Sequence, residues 1–165
     1  MIRDYRFTAQ ALRCVETNRP EQKSADVGTI IQGVLWFDGT TREYANGLFR
    51  VPADVDTAGT VTFRVWCMPR TGAASKNVGW YLEHVGRASG EALDASYTEE
   101  ASGAASINAT TNGLTEVTWT ETVANLGWSA GDLVPVRWSR DNSVSNNLSG
   151  DAGLVWAQID VPITS

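Results

Sequence analysis

A single histidine and two cysteines are all that this 165-residue chain offers for nucleophile–base chemistry or soft-metal ligation. Serine and cysteine nucleophiles need a base beside them. His84 follows Trp80 and Leu82 on one face of an expected strand, so it reads as a packed or solvent-edge strand residue. No Gly-x-Ser-x-Gly turn is present. Cys14 and Cys67 lie far from each other and from His84 in sequence, without the close ligand spacing of a zinc site. Gly86-Arg-Ala-Ser-Gly90 lacks both the lysine and the strand-to-helix setting of a phosphate loop. Paired carboxylates do occur: Glu99 with Glu100, Glu116 with Glu121, and Asp54 with Asp56. Glycoside hydrolysis asks only for two carboxyl groups flanking a bond, but sequence adjacency does not set their separation. They read as solvated surface. The expectation is a protein without catalytic residues, cofactor or metal.

Positive charge is also scarce. The formal net charge is -6, and the basic residues are mostly arginine, with no Lys/Arg stripe. Nucleic-acid affinity comes largely from phosphate neutralisation, so no nucleic-acid partner is expected, and no anionic membrane surface either. No apolar run approaches the roughly 18 residues of a membrane span. The opening Met1-Ile-Arg-Asp-Tyr-Arg-Phe7 lacks the apolar stretch of a secretory signal, which predicts two reduced thiols in a protein made in cytoplasm. Asn108-Ala-Thr110 and Asn147-Leu-Ser149 are then chance matches to the glycosylation pattern.

What the chain has is alternation. Val61, Phe63, Val65 and Cys67 fall on one face of a strand, with Thr60, Thr62, Arg64 and Trp66 on the other. Similar runs cover Thr29 to Trp36, Tyr44 to Val51, Val78 to Leu82, Val117 to Trp119, Val134 to Trp138 and Val155 to Val161. Turn chemistry separates them at Asp38-Gly39, Ala58-Gly59, Asn112-Gly113 and Ala130-Gly131-Asp132. Gly90 to Ala95 has room for a helical turn, but no amphipathic crossover helix is visible. The fold class predicted is all-β, an antiparallel β-sandwich of about eight strands in one domain. Residues 27–165 form that sandwich. Residues 1–26 read as an extended segment and linker, with Tyr5, Phe7 and Ala9 alternating, and serve either as an ordinary first strand or as an arm reaching a neighbour.

Seven tryptophans outnumber the four phenylalanines and the four tyrosines. A strand tryptophan at period two reads first as core or subunit interface, and otherwise as a stacking platform for sugar rings. Trp128, in the loop Asn125 to Asp132, is the position expected to be exposed. The oxygen-rich stretch Arg140 to Trp156 fails as a calcium loop. Asp141, Ser143 and Ser145 align with the first ligands, but Asn146 stands where glycine is required and Ala152 where the bidentate glutamate belongs. It reads as a hairpin connection.

Several segments in order resemble a domain of tailed-bacteriophage virion proteins: Phe37 to Tyr44, Val51-Pro-Ala-Asp54, Gly59 to Trp66, Asn77 to Trp80 with Gly90 to Asp94, and Ala130 to Asp141. The likeness spans about residues 35 to 161. It implies a jelly-roll sandwich, often trimeric, built into the particle as capsid decoration (cement) protein or as part of a tail fibre or spike. The matching positions Phe37, Asp38, Glu43, Pro52, Trp80, Gly131, Asp132, Arg140 and Asp141 are assigned to structure, and no catalytic residue is transferred. Expected partners are a homotrimer and the major capsid protein, or alternatively tail proteins or a host surface glycan. The expected location is the virion, after synthesis in the bacterial cytoplasm. Interaction residues expected on this basis are Arg3, Tyr5, Arg6, Phe7 and Arg13 of the N-terminal segment, with Trp128. Arginines there suit bidentate pairing with acidic shell residues.

Overall fold

Strand alternation of this kind has to bury one face, and in the computed structural model, which describes residues 1–14, 17–27, 30–93 and 96–164, two antiparallel sheets bury theirs against each other. In chain order the strands are β1 (Ile2–Thr8), β2 (Arg13–Cys14), β3 (Glu21–Val27), β4 (Ile30–Phe37), β5 (Ala45–Arg50) and β6 (Thr60–Pro69). They continue with β7 (Asn77–His84), β8 (Thr98–Ala101), β9 (Ala105–Ser106), β10 (Thr115–Thr122), β11 (Leu133–Asp141) and β12 (Ala152–Pro162). The first sheet runs β10-β6-β12-β4-β3, with β1 also on β12, and the second runs β2-β5-β11-β7-β8, with β9 on β7. This is a jelly-roll β-sandwich, as the resemblance implied.

The alternation read from β6 holds residue by residue. Val61, Phe63, Val65 and Cys67 are fully buried, while Thr60, Thr62, Arg64 and Trp66 face outward. Facing them from the second sheet are Val134, Val136 and Trp138 of β11 and Val78, Trp80, Leu82 and His84 of β7. Burying each large apolar side chain contributes about 1.5–3 kcal/mol, so this shared layer dominates stability. Cys14 and Cys67 are not bonded to each other; burial pushes the Cys67 thiol up to about 12.

Four expectations need correction. Twelve strands are described rather than about eight, because β2, β8 and β9 are too short to show a period and β3 lies in the polar run read as a linker. The first 26 residues are not set apart from the sandwich. β1 pairs with β12 from Ile2↔Pro162 to Thr8↔Trp156, and β3 pairs with β4. Phe7 inserts into the core so closely that a Cβ on Gly47 would sit 2.9 Å from its ring. Residues 142–151 are no hairpin, since they carry the chain from β11 in the second sheet to β12 in the first. Within Gly90 to Ala95, residues 90–93 are not helical and Asp94 and Ala95 lie outside the described residues, as does Thr29 at the start of the run that became β4. The one short helix described is instead α1 (Val123–Leu126), capped by the Thr122 side chain at its start and by Gly127 at φ 66° at its end.

Arg140 explains how the 142–151 crossover is held. It is 1% exposed, and its guanidinium donates to the carbonyl oxygens of Gly150 (2.6 Å), Phe37 (3.5 Å) and Leu148, and to the Asn147 side-chain oxygen (2.9 Å). Asn147 is thereby committed to the interior. Burial pushes the Arg140 pKa below its ordinary value, against the charges of Asp151 and Asp38. Truncating Arg140→Ala strands several buried carbonyl groups, and a loss of about 3 kcal/mol or more is expected. Urea denaturation followed by tryptophan fluorescence should show the midpoint fall at unchanged slope. Arg140→Lys should not restore it, because an ammonium cannot reproduce the planar fork.

Candidate functional site

The sequence-expected interaction residues do not converge. Tyr5 is half-buried, stacked on Phe49 at 4.7 Å and donating its hydroxyl to the Arg50 carbonyl oxygen, and Phe7 is core. Arg3 and Arg6 are exposed on β1, where Arg6 pairs with Asp4 and approaches the Trp156 ring at 5.6 Å. Arg13 is exposed on β2, in the other sheet.

Trp128 is the clearest correction. It is 3% exposed, because α1 turns the chain so that its ring packs edge-on against Phe49, Phe63 and His84. Its indole N–H donates to His84 Nδ1 at 3.1 Å, which leaves the proton of neutral His84 on Nε2, facing Glu100 at 3.6 Å. Burial lowers the His84 pKa to about 4. Glu100 is displaced upward, by burial first and the Glu121 charge second. Glu99, the adjacent residue, points to the opposite face of β8, so the two are not a working pair.

Outside the core the informative surface is the outer face of the second sheet. Positions that alternate with the core residues place Arg137 and Ser139 of β11 beside Glu83 and Tyr81 of β7, and Glu83 beside Glu99 of β8. Arg42 and Tyr44 precede β5 and fold over the same rows. The Glu83 carboxylate holds two guanidinium groups, Arg42 at 2.9 Å and Arg137 through a shorter contact, and Arg42 also pairs with Glu99. Burial works to lower the Arg42 pKa, but the Glu99 hydrogen bond and the Glu99 and Glu83 charges prevail and raise it. Both arginines lie against tyrosine rings: Arg42 at 4.4 Å from Tyr81, and Arg137 at 4.2 Å from Tyr44 and 5.1 Å from Tyr97. Ser139 accepts from Arg42 Nε at 3.2 Å. The result is a platform of three tyrosines, Tyr44 and Tyr81 half-buried and Tyr97 exposed, interleaved with two cations that Glu83 and Glu99 hold in place.

A second aromatic pair lies on the outer face of the first sheet, where Trp66 and Trp156 meet at 5.4 Å and 44°. Both rings are half-buried, each is spent partly on the other, and Arg6 lies over Trp156. Among the described residues no group of three or more His, Cys, Asp or Glu side chains is placed to hold a metal.

No protein-family model matches the chain, and no curated protein matches it in sequence. Solved structures do match in fold. CBM35 from Cellvibrio japonicus Abf62 aligns with a TM-score of 0.57 at 6% identity, over 95% of this chain and 92% of that one. The CBM22-1–GH10 modules of Clostridium thermocellum endo-1,4-β-D-xylanase 10B, complexed with xylohexaose, align at 0.50 and 6% identity, over 96% of this chain and 27% of that one. A structure of infectious bursal disease virus, Gt strain, aligns at 0.46 and 10% identity, over 98% and 32%. The likeness is one of fold, a jelly-roll β-sandwich.

The buried neutral His84 has a measurable consequence. Its folded pKa lies below the unfolded value near 6.5, so the unfolded chain binds the proton first and stability is lost as pH falls from about 6.5 toward 4. The loss attributable to this group approaches about 3 kcal/mol. Thermal melts of the native chain and of His84→Phe across that window should show the steeper decline in the native chain. Parallel curves would show that His84 is not the group responsible.

Proposed function

We propose that this chain is a non-catalytic carbohydrate-binding β-sandwich domain that takes a glycan side-on across the outer face of its second sheet. The observation that carries this reading is the Tyr44–Tyr81–Tyr97 platform with Arg42 and Arg137 fixed around Glu83. Sugar rings offer apolar C–H faces to aromatic rings and hydroxyl groups to hydrogen-bonding side chains. Binding sites commonly combine a few placed polar groups with aromatic surface in this way. The clamped guanidiniums lose little further side-chain freedom on binding. Placing the site on strands rather than loops holds its geometry.

A structural virion component is the second reading, as capsid decoration protein or receptor-binding tail module. One structural observation favours it beyond the sequence resemblance. Leu48 and Leu133 are 56% and 42% exposed on that same outer face, either side of Pro135, and give apolar contact area for a subunit or shell protein. The two readings join if the domain displays its glycan site from a particle.

A glycan array probed with the fluorescently labelled chain tests the first reading. Saturable binding to a defined glycan set is expected, with Tyr81→Ala weakening it at least tenfold while the far-ultraviolet β signal is unchanged. Absence of binding to every glycan would overturn it. Light scattering tests the trimer, which the virion reading expects at micromolar concentration and a monomer mass would oppose.

A further inference from the structure

Charge is distributed unevenly over this molecule. The outer face of the second sheet carries Arg13, Arg42, Arg50, Arg87 and Arg137 against Glu83, Glu91, Glu99 and Asp141, a net +1 on a chain whose formal charge is -6. Arg42 and Arg137 are neutralised by Glu83 and Glu99. At the other end of the face Arg50 and Arg87 stand against one carboxylate, Glu91.

There, Leu133 at the start of β11 is flanked by two arginines in register. Arg50 is its partner on β5, and Arg87 is bridged to it on the opposite side by a pair of backbone hydrogen bonds of 2.9 Å. Between them opens a cleft of about 260 Å³ lined by Arg50, Arg87, Ala88, Ser89, Gly131 and Leu133, with no carboxylate in its lining. Arg50 spends only Nε, on the Gly131 carbonyl oxygen at 3.1 Å, and no carboxylate of the described residues pairs with it. Among the described residues Arg87 meets one acidic neighbour, Glu91, at a loose 3.9 Å, and its buried Nε has no partner. Glu91 in turn accepts from the Ala88 N–H at 2.9 Å. Two guanidiniums left largely unspent beside a shared cleft, with a serine hydroxyl at its rim, form a receptor for an anionic group. The tyrosine platform begins at Arg137, four residues along β11 and hence about 14 Å away.

We infer that the outer face binds an acidic glycan, the Arg50–Arg87 cleft taking a sugar-borne carboxylate or sulfate while the tyrosine platform stacks neighbouring rings. This inference rests on the carbohydrate-binding reading and adds the substrate class to it. Both anions offer the oxygen geometry that a guanidinium fork matches, and the probes separate them. The apolar strip of Leu48, Pro135 and Leu133 joins the two ends, so a chain lying along β11 meets rings, then C–H faces, then cations.

Affinity electrophoresis and titration calorimetry with four probes provide the test: polygalacturonate, dextran sulfate, neutral xylan and mannan, and duplex DNA as a polyanion without the sugar faces. Binding to polygalacturonate or dextran sulfate should exceed that to the neutral polymers at least tenfold at low salt. It should weaken as salt rises toward 1 M, where screening shortens to about 3 Å. The Arg50→Gln/Arg87→Gln double variant should lose that preference and keep the neutral-polymer affinity of the parent. Arg50→Lys/Arg87→Lys, which keeps the charge and loses the fork, should fall between and controls for folding through an unchanged melting temperature. Equal binding of acidic and neutral polymers, or an acidic preference that survives the double glutamine variant, would overturn the anion subsite and leave the carbohydrate reading standing. DNA bound as tightly as polygalacturonate would overturn it too, by showing charge attraction alone. Failure of every polysaccharide to bind would overturn both.

Discussion

A buried guanidinium stands at the point where the two sheets exchange the chain. Arg140 closes β11, and its nitrogens gather carbonyl oxygens from the end of β4 and from the crossover that leads to β12. An irregular ten-residue segment passing from one sheet to the other has few ladder partners of its own, and buried backbone oxygens left unbonded are costly. One planar cation with five donors resolves several of them at once. The carboxylates of Asp38 and Asp151 offset part of the cost of burying it. Asp38 is itself occupied in bonding the Thr40 and Thr41 N–H groups, which shapes the turn that delivers Arg42 and Tyr44 to the surface. The core interaction and the candidate binding face therefore share a frame.

That frame converts into function through rigidity. Glu83 is nearly buried although it belongs to the outer face, because Arg42 and Arg137 close over it. The two cations are then held between a carboxylate and a ring rather than left as flexible surface side chains. The opposite outer face also has an ion network, with Arg64 between Glu116 and Asp160, but there the neighbouring rings, Trp66 and Trp156, pack on each other instead of between the cations of that network.

The layered core was legible in the residues, since period two in β6, β7 and β11, and in β12 from Ala157 onward, names the inward positions without reference to topology. Val155, expected inward, is displaced by the bulge, and Leu154 takes the core position. The site was not. Its parts come from residues 42–44, 81–83, 97–99 and 137, and only strand register brings them together. One signal was available: Arg137 and Ser139, and Tyr81 and Glu83, are the outward members of otherwise apolar strands. Trp128 misled because a loop rich in glycine, serine and aspartate looks solvated, while the Thr122 cap and Gly127 bend it inward onto His84. The N-terminal arginines misled in the opposite sense. Arg6 marks the outer face of a paired strand, and the tyrosine and phenylalanine between the charges are its anchors.

The placement of β12 carries a consequence for how the molecule is made. This strand lies in the middle of the first sheet, bonded to β6 on one side and on the other first to β4 and then, past the bulge at Leu154–Trp156, to β1. Strands from the beginning and middle of the chain therefore have no common neighbour until residues 152–162 arrive. A nascent chain holds unpaired ladders on β1 and β6 until β12 has emerged. The first sheet assembles late and over long sequence separations, the slow regime of folding. The charged outward positions of β1 help keep its waiting edge from pairing with other chains.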